Sequence, residues 1–550
     1  MTSGVRATAT PGTLVDRVRE FVDQHWWALD AVLIAVLLII AGVLRLVLLG
    51  DIPYGVHPDE AQVGTDAHRI VDGDLWAVYT TAALGQPTGH AYFSTPSIWL
   101  LGDTAFALRL PLALVGLAAI PLLYAFVRTS FGRTEAFFAG AMLALSYWHL
   151  LYSRVAHWSI SYGTVILAVL LCTMLGRNTK QRWWFVAGGV LLGLGIYTYN
   201  IYPIAVVAVL VFIGIMWLID WRNRDDRRWW LGSTLAFGAA AFVVALPMFI
   251  YLSNPDAYYW KHIDNYQEVG VARSAEWDDA SFAGKIRLTG EQAWTFFRTY
   301  THDADWDIVD ANGIRPVFDP LTLILIVAGL LFAWRHRRDP VVIAALCCAL
   351  IIPLPAVTQN GSIMRQPVAA APFVMLIAAL PLAAVWRAGL DDRRRRTIAF
   401  GSVAVVLAVL TATTVRDYFW TWREHPFVRE IYFSEFTTVS TFMDGFGDDA
   451  YFYLYSDRAP LSQETRQYLA PDAEGEDRSF EFSNAEASIE DIDRGREAVF
   501  VLLEPYFDLL PQIEARYPGG RAVEATRDGK IEFYAYVLPA VEDGRSVGPP

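Results

Sequence analysis

The sequence predicts an all-α polytopic membrane body of about eleven transmembrane helices, followed by a small C-terminal α/β domain outside the cytoplasm. Three observations predict this fold class: the composition, the series of apolar runs, and the distribution of basic residues between those runs. Of the 550 residues, 54% are hydrophobic and only 18% are charged. Soluble domains carry about 25% charged residues, so the composition favours a membrane protein. The net charge of −13 does not suggest a nucleic-acid partner.

The apolar runs are numerous and long. A helix needs about 20 mostly apolar residues to cross a hydrocarbon core about 30 Å thick. The alternative is that the runs are core helices of a soluble protein. Eleven such runs in series disfavour this alternative. The runs are 31–50, 105–127, 136–151, 160–175, 183–197, 203–219, 231–252, 321–334, 341–356, 368–386 and 398–415. Several are short, so we expect their ends to reach into the flanking aromatic residues.

The basic residues fix the orientation. Five short alternate loops contain 17 lysines and arginines, whereas the loop 51–103 on the other side has Arg69 alone against seven acids. Short cytoplasmic loops are the ones enriched in Lys and Arg. We therefore expect a multi-pass protein of a bacterial cell membrane, with its N-terminus in the cytoplasm and its C-terminus outside.

This topology divides the chain into three parts. Residues 1–28 form a cytoplasmic segment without a signal-peptide cleavage site, whose residues 14–27 resemble an amphipathic helix on the membrane surface. The membrane domain is 29–422, with outer loops 51–103 and 253–320. Residues 423–550 alternate strand-like and helical runs separated by turn signals, which predicts the extracytoplasmic α/β domain.

An acidic pair begins the first outer loop. Asp59 and Glu60 follow Pro58 a few residues beyond the first apolar run. Carboxylates near the lipid headgroups are candidates for functional sites, and one of them could take the proton of an attacking hydroxyl group. The alternative is a helix start, because Pro and acids favour the first turn. The two interpretations are compatible.

Further short motifs follow this pair in a fixed order along most of the chain. They are Phe106-Ala-Leu-Arg109-Leu-Pro111, Phe131-Gly132-Arg133, Ala144-Leu-Ser-Tyr-Trp148-His149-Leu-Leu-Tyr152-Ser153-Arg154, Gly195-Ile-Tyr197-Thr-Tyr199, and Arg365 followed by Pro372. In this order and spacing the chain resembles membrane glycosyltransferases of the GT-C fold, and within these the glycosyltransferase 39 or protein-mannosyltransferase-like family.

The resemblance implies an inverting transfer of one sugar from a polyprenyl-phosphate donor to an acceptor hydroxyl on the extracytoplasmic face. Asp59 matches the catalytic carboxylate of the family, and Glu60 matches its companion. A lipid phosphate is already a stable anion as a leaving group, so the protein mainly binds its charge and positions the hydroxyl. The acceptor remains open between a protein, a lipid and a polysaccharide of the cell envelope, and membrane lipids are the other expected partners.

Three arginines near the outer ends of the runs are candidates for binding the donor phosphate, because guanidinium groups contact phosphate in a planar, bidentate way. They are Arg109, Arg154 and Arg365. Snorkelling to the interface, or a pair with a loop acid, is the alternative. His57 could also bind the phosphate or orient Asp59, although a capping or structural role is the favoured alternative.

Tyr197 and Tyr199 are candidates for contact with the sugar or the lipid, and the interfacial aromatic belt is the other explanation for them. No cofactor is required by this chemistry. The acidic run 302–313 leaves a divalent ion open without indicating one, because Ile308 occupies the place of the glycine in a calcium loop. Cys172, Cys347 and Cys348 lie in apolar runs and favour burial over metal binding.

Two rival functions remain at this stage. One is a transporter or flippase of a lipid-linked glycan, which typically shows internal repeats and midplane charges. The other is a non-catalytic relative that acts in envelope glycan assembly. The chain shows no repeat, and its candidate charges lie at the outer ends of the runs, which favours the enzyme.

Overall fold

The computed structural model describes residues 26–81, 85–221, 224–261, 275–304, 314–358, 364–390, 393–479, 488–527 and 529–541. Most of the predicted N-terminal segment 1–28 lies outside the described residues. The same holds for residues 305–313 of the acidic run in the second outer loop.

The membrane body is helical from its first described residue. It begins with α1 (Trp26–Leu46), and the first outer loop contains α2 (Pro58–Val71), the strands β1 (Tyr79–Thr80) and β2 (Gln86–Pro87), and α3 (Gly89–Leu101). It continues with α4 (Ala105–Arg128), α5 (Arg133–Leu145), α6 (Tyr147–Ser153), α7 (Ser159–Thr179), α8 (Arg182–Gly195), α9 (Tyr202–Asp220) and α10 (Arg224–Leu252).

The second half of the body follows the second outer loop. That loop contains α11 (Ala275–Asp278) and α12 (Phe282–Thr301). After it come α13 (Pro320–Arg335), α14 (Pro340–Ile351), α15 (Leu354–Thr358), a 3-10 turn (Gln366–Ala370), α16 (Ala371–Ala388), α17 (Arg393–Arg416) and a π-helical turn (Asp417–Trp422).

Eight helical stretches among the described residues are long and apolar enough to cross a membrane. They are Trp27–Leu46, Ala105–Arg128, Ser159–Thr179, Tyr202–Asp220, Asp226–Leu252, Pro340–Val357, Gln366–Ala388 and Arg395–Trp422. The other three predicted runs correspond to helices of 13, 14 and 16 residues, which are α5, α8 and α13. The chain is an integral membrane protein.

One of these short helices results from a break that the hydropathy does not indicate. The run 136–151 is split at Ser146, whose hydroxyl accepts a hydrogen bond from the His149 amide at 3.3 Å. Arg45 of α1, which is fully buried, donates to the carbonyl oxygens of Ala144 and Leu143 at 3.2 and 3.4 Å. These contacts satisfy the polar groups exposed by the break, so the apolar run becomes α5 and α6.

A close helix approach positions the segment that carries Arg365. A Cβ on Gly163 of α7 would come within 2.7 Å of the Ala369 Cα, so only glycine lets the 3-10 turn pack this closely on α7. Trp148 Nε1 donates to the Met364 carbonyl at 2.9 Å, and the Tyr162 hydroxyl donates to the Gln366 carbonyl. Arg365 is therefore held from both sides.

The C-terminal part is the predicted α/β domain. Helices α18 (Pro426–Ile431) and α19 (Ser434–Asp444) lead into it, and it contains β3 (Ala450–Tyr455), α20 (Glu464–Leu469), β4 (Glu474–Asp477), β5 (Glu497–Leu502), a 3-10 turn (Tyr506–Leu509), α21 (Leu510–Arg516), β6 (Arg521–Arg527) and β7 (Lys530–Leu538). The sheet order is β4-β3-β5-β7-β6, and β3 pairs in parallel with β4 and β5. Apolar side chains alternate between its two faces, and each face packs on its own helices.

This domain packs directly on the first outer loop. The Val56 amide donates to Thr437 Oγ1, and Thr465 Oγ1 donates to the Val56 carbonyl, each at 2.9 Å. A Cβ on Gly64 of α2 would lie 2.1 Å from the Tyr468 ring, so the glycine makes room for that ring. The loop that carries the acidic pair is thus held between the membrane body and the sheet domain.

Candidate active site

Asp59 and Glu60 lie in the first turn of α2. His57 precedes the helix, and its Nδ1 accepts a hydrogen bond from the Asp59 amide at 3.0 Å. Glu60 Oε2 accepts one from the His57 amide at 3.2 Å, which completes a capping box. Pro58 is the first helical residue. The helix-start interpretation is therefore correct. Because Asp59 and Glu60 are consecutive residues of the first helical turn, their carboxylates point in different directions.

Glu60 points into the protein and pairs with Arg109. Arg109 Nε donates to Glu60 Oε1 at 3.0 Å, and Arg109 Nη2 donates to Oε2 at 2.9 Å. The Ala156 amide donates to the same carboxylate at 2.6 Å. Arg109 is fully buried and also donates to the Pro53 and Gly55 carbonyls. The guanidinium of Arg109 is thus occupied by the loop it supports, in line with the alternative of a pair with a loop acid, and its contact with phosphate stays a prediction.

Arg154 has a similar structural role. Its Nη1 donates to the Leu44 carbonyl and its Nη2 to the Leu48 carbonyl, each at 2.9 Å. The guanidinium lies 5.0 Å from the ring centre of Tyr418 and 5.1 Å from that of Phe419. Arg154 is fully buried, satisfies carbonyls at and just beyond the end of α1, and is not among the residues that line the pocket. Its contact with phosphate stays a prediction.

Asp59 points the other way, into a pocket that it shares with Arg365. Arg365 Nη1 lies 3.5 Å from Asp59 Oδ2, across 306 positions of sequence. The Asp59 side chain is 31% exposed, and that of Arg365 is 7% exposed. The pocket is lined by His57, Asp59, Glu60, Leu151, Tyr152, Val155, His157, Arg365 and Tyr432. Four residues predicted from the sequence therefore meet here: Asp59, Glu60, His57 and Arg365.

The pocket is narrow in this structure, at about 20 Å³. That volume holds about one water molecule, so its walls have to move apart to admit a sugar phosphate. Tyr432, which belongs to the C-terminal part of the chain, forms one wall, and its ring centre lies 6.0 Å from that of His57.

His157 also lines this pocket, although it was not among the site residues predicted from the sequence. It is 6% exposed, and its Nδ1 accepts a hydrogen bond from the Ser159 amide at 3.2 Å. Its Nε2 has no hydrogen-bond partner in the described part of the chain. Burial, together with the charge of Arg365, holds the pKa of His157 well below its usual range. Its position three residues after Arg154 is the only sequence signal, and it is a weak one.

Tyr197 and Tyr199 do not lie together. Tyr199 is 7% exposed and packs its ring against those of His157 and Tyr162, with centres 5.8 and 5.6 Å apart. Tyr197 lines an apolar cavity of about 750 Å³ between α3, α4, α7 and α8. The Tyr197 hydroxyl donates to the Val244 carbonyl at 2.8 Å. Tyr199 therefore supports the pocket from behind, and only Tyr197 faces a cavity.

The apolar cavity ends close to the Asp59 pocket. His90 lines the cavity, and its ring centre lies 4.8 Å from that of Trp158. Trp158 stacks on His157 with ring centres 4.3 Å apart, and His157 lines the pocket. The two spaces are therefore adjacent, and the stacked rings of His90, Trp158 and His157 lie between them.

A third, polar cavity of about 640 Å³, here called the outer cavity, lies beside the pocket and is formed by the C-terminal part of the chain. It is lined by Glu424, Pro426, Arg429, Glu430, Ser434, Glu435, Arg458, Leu503, Glu504, Pro505, Phe507, Arg527, Lys530, Ile531 and Glu532. Glu430 and Ser434 line this cavity, whereas Tyr432 between them lines the Asp59 pocket. A segment only a few residues long thus separates the two spaces.

No group of three or more His, Cys, Asp or Glu residues in the described ranges is arranged to hold a metal ion. The aspartates at 305, 307 and 310 of the acidic run lie outside those ranges. Cys172, Cys347 and Cys348 are buried free thiols, as their apolar surroundings predict.

Residues 85–252 match the family described as dolichyl-phosphate-mannose-protein mannosyltransferase. A comparison with curated proteins found no match. Among solved structures, ArnT from Cupriavidus metallidurans bound to undecaprenyl phosphate superposes with a TM-score of 0.51 at 14% identity, covering 96% of this chain and 99% of the other. The chain has the GT-C fold.

A second structure supports the same assignment of the GT-C fold. The archaeal oligosaccharyltransferase AglB from Archaeoglobus fulgidus, in complex with an inhibitory peptide and a dolichol-phosphate, superposes with a TM-score of 0.52 at 14% identity. The match covers 93% of this chain and 74% of AglB. The predicted GT-C membrane body and the C-terminal α/β domain are therefore confirmed.

Proposed function

We propose that this chain is an inverting glycosyltransferase that moves one sugar from a polyprenyl-phosphate donor to an acceptor hydroxyl on the extracytoplasmic face. One observation carries the proposal: the half-buried Asp59 carboxylate faces the buried Arg365 guanidinium at 3.5 Å. A base and an anion-binding group on one pocket are the two elements that the transfer requires.

Asp59 acts as the general base. As the acceptor oxygen attacks the anomeric carbon, the hydroxyl proton passes to the Asp59 carboxylate and the new carbon–oxygen bond forms. The bond between that carbon and the donor phosphate oxygen breaks, and its electron pair stays on the phosphate. Arg365 and His57 lie on the pocket wall, where they can bind this anion. Glu60 positions the helix start through Arg109.

The apolar cavity supports a lipid-linked donor. It offers about 750 Å³ of space with almost exclusively apolar lining, in which Trp76 and Phe93 are 81% and 55% exposed. We assign this cavity to the first isoprene units of the donor and the Asp59 pocket to its phosphate and sugar. The solved ArnT and AglB structures contain undecaprenyl phosphate and dolichol-phosphate, respectively. The transferred group is a hexosyl or pentosyl unit.

We place the acceptor in the outer polar cavity, because only the short segment around Tyr432 separates it from Asp59. Its lining contains five glutamates against three arginines and one lysine. This balance suits an uncharged polar ligand better than a polyanion or a polycation. Among the protein, lipid and polysaccharide acceptors, an uncharged polysaccharide of the cell envelope fits this description best.

We also propose that the N-terminus is cytoplasmic and that the site faces outward in a bacterial cell membrane. The positive charge of the loops opposite the pocket supports this orientation. Fusions of a periplasm-active reporter after Arg128 and after Leu252 test it. Activity is expected only after Leu252, and the reverse result would invert the topology.

The transfer reaction itself is tested in membranes that contain the overproduced protein and a radiolabelled polyprenyl-phosphate sugar. The wild type is expected to label an envelope acceptor, and Asp59→Asn is expected to lose at least about 10²-fold in rate while retaining its thermal stability. Asp51→Asn, in the same loop but exposed, is the matched control. Movement of the labelled lipid across the bilayer without transfer would favour the transporter instead.

A further inference from the structure

The histidine in the Asp59 pocket has a defined tautomer. The Ser159 amide belongs to the first turn of α7 and has no carbonyl of its own helix to bind. It donates to His157 Nδ1 at 3.2 Å, and the Ser159 hydroxyl lies 2.9 Å from the same nitrogen. Because a backbone N–H can only donate, Nδ1 has to accept. The proton of the neutral ring is therefore on Nε2.

The neutral state of the ring follows from its surroundings. Burial lowers the pKa of His157, and the nearby Arg365 guanidinium lowers it further. The ring is fixed between Trp158 and Tyr199, with centres 4.3 and 5.8 Å away. His157 is thus a rigid, uncharged donor of one hydrogen bond.

That donor is unused in the part of the chain that the structure describes. His157 Nε2 is buried and has no partner there, although the residue lines the pocket of Asp59 and Arg365. A buried polar group without a partner costs about 1–3 kcal/mol. Its Nδ1 edge faces Ser159, so the edge left for the pocket carries the Nε2–H group. Such a preorganised donor is typical of a site that stabilises charge developing on a ligand oxygen.

We propose that His157 Nε2–H donates a hydrogen bond to the phosphate oxygen that leaves the sugar during transfer. The inference rests on the proposed function and deepens it. When the bond between the anomeric carbon and this oxygen breaks, the oxygen keeps the electron pair and gains negative charge. The hydrogen bond then becomes charge-assisted and stronger, so His157 stabilises the transition state more than the bound donor.

Two substitutions separate this role from a structural one. His157→Gln places an amide N–H close to the former Nε2 position, whereas His157→Asn keeps a polar group only near the former Nδ1 position. We expect His157→Asn to lower kcat by about 10²-fold with a smaller change in the donor KM. We expect His157→Gln to retain activity within about tenfold of the wild type. His68→Asn, at the other end of α2, is the matched control and leaves kcat unchanged.

Equal rates for His157→Gln and His157→Asn, or a more active His157→Asn, would overturn the proposal, because the contact with Ser159 would then be the important one. If the wild-type protein transfers no sugar, the proposed function itself is contradicted. Both variants are checked for monodispersity and thermal stability before the kinetics.

A measurement on the wild type avoids dependence on a variant that fails to fold. In ¹⁵N-histidine-labelled protein in nanodiscs, the His157 signal is identified by its absence from His157→Gln or His157→Asn. We expect the Nε2-protonated tautomer, and a shift of Nε2 when undecaprenyl phosphate is added but not when undecaprenol is added. An Nδ1-protonated ring, or no response to undecaprenyl phosphate, would refute the assignment.

Discussion

The Glu60 carboxylate and the Arg109 guanidinium form a fully buried, two-point ion pair, with Nε–Oε1 and Nη2–Oε2 distances of 3.0 and 2.9 Å. Arg109 belongs to α4, and Glu60 belongs to the helix that begins beside Asp59. The pair fixes the start of α2 on the membrane body, so the direction of the Asp59 side chain depends on it.

Removal of either partner is expected to destabilise the protein. Arg109→Ala leaves a buried carboxylate without its counter-charge, which costs about 3–5 kcal/mol. Thermal unfolding in detergent measures this as a lower Tm, and transferase activity falls with it. Asp51→Asn is the control and leaves Tm unchanged. An Arg109→Ala protein with wild-type Tm and activity would show that the pair does not hold the loop.

Arg365 is expected to act on the donor. Arg365→Lys keeps the charge but loses the planar guanidinium that suits phosphate, and Arg365→Gln loses both. We expect the donor KM to rise and kcat to fall, more strongly for Gln than for Lys. Arg416→Gln, which changes an exposed arginine outside the pocket, should behave as the wild type. Identical kinetics for wild type and Arg365→Gln would remove Arg365 from the site.

The contact between His68 and Asp103 predicts a pH-dependent stability. The hydrogen bond from His68 Nε2 to Asp103 Oδ1 at 2.7 Å raises the pKa of His68. In the unfolded chain the pKa of His68 is about 6.5, below its pKa in the folded protein. The contact with Asp103 therefore stabilises the fold fully below about pH 6.5, and this stabilisation is lost as the pH rises through the folded pKa.

The test compares Tm of the wild type and His68→Gln between pH 5.5 and 9. The wild type is expected to have the higher Tm at pH 5.5, and the difference should shrink above about pH 6.5. A difference that grows with pH would show that the pair is not ionic in the folded protein.

If the outer cavity binds the acceptor, substitutions in it should change the KM for the acceptor without changing the KM for the donor. Glu504 and Lys530 line it and have no ion-pair partner among the described residues, so both are available to a ligand. Glu504→Gln and Lys530→Gln are expected to raise the acceptor KM several-fold with an unchanged donor KM. A rise in the donor KM alone would place the acceptor elsewhere.

The close approach of Gly64 and Tyr468 predicts a steric effect that a second change relieves. Gly64→Ala is expected to displace α20 and lower both Tm and activity, because its Cβ would lie 2.1 Å from the Tyr468 ring. Gly64→Ala combined with Tyr468→Leu should recover part of the lost Tm. If the double variant is as unstable as the sum of the single ones, the two residues do not interact.

Sequence reasoning succeeded where the signal is local. The apolar runs and the basic loops indicated a membrane body, and the strand and turn pattern indicated the C-terminal sheet. The acidic pair was found because Pro58-Asp59-Glu60 is a contiguous motif at the start of an outer loop. These features depend on residues that are close together in the sequence, within one helical turn or one apolar run. They can therefore be recognised from the sequence alone.

Sequence reasoning could not assign a partner where that partner is distant in the chain. Arg109, Arg154 and Arg365 look equivalent in the sequence, yet the first binds Glu60, the second binds the end of α1, and only the third faces Asp59. The break at Ser146 was also missed, because Arg45, about 100 residues away, satisfies the exposed carbonyls.

The sequence by itself determined that the chain crosses a membrane, which loops carry positive charge, and which carboxylates begin α2, since hydropathy and helix-start preferences act over a few residues. Only the tertiary structure decided which carboxylate pairs with Arg365, which one pairs with Arg109, and that His157 lines the same pocket as Asp59. Buried charges and polar hydrogens need partners at about 3 Å, and folding brings those partners together from residues up to 409 positions apart.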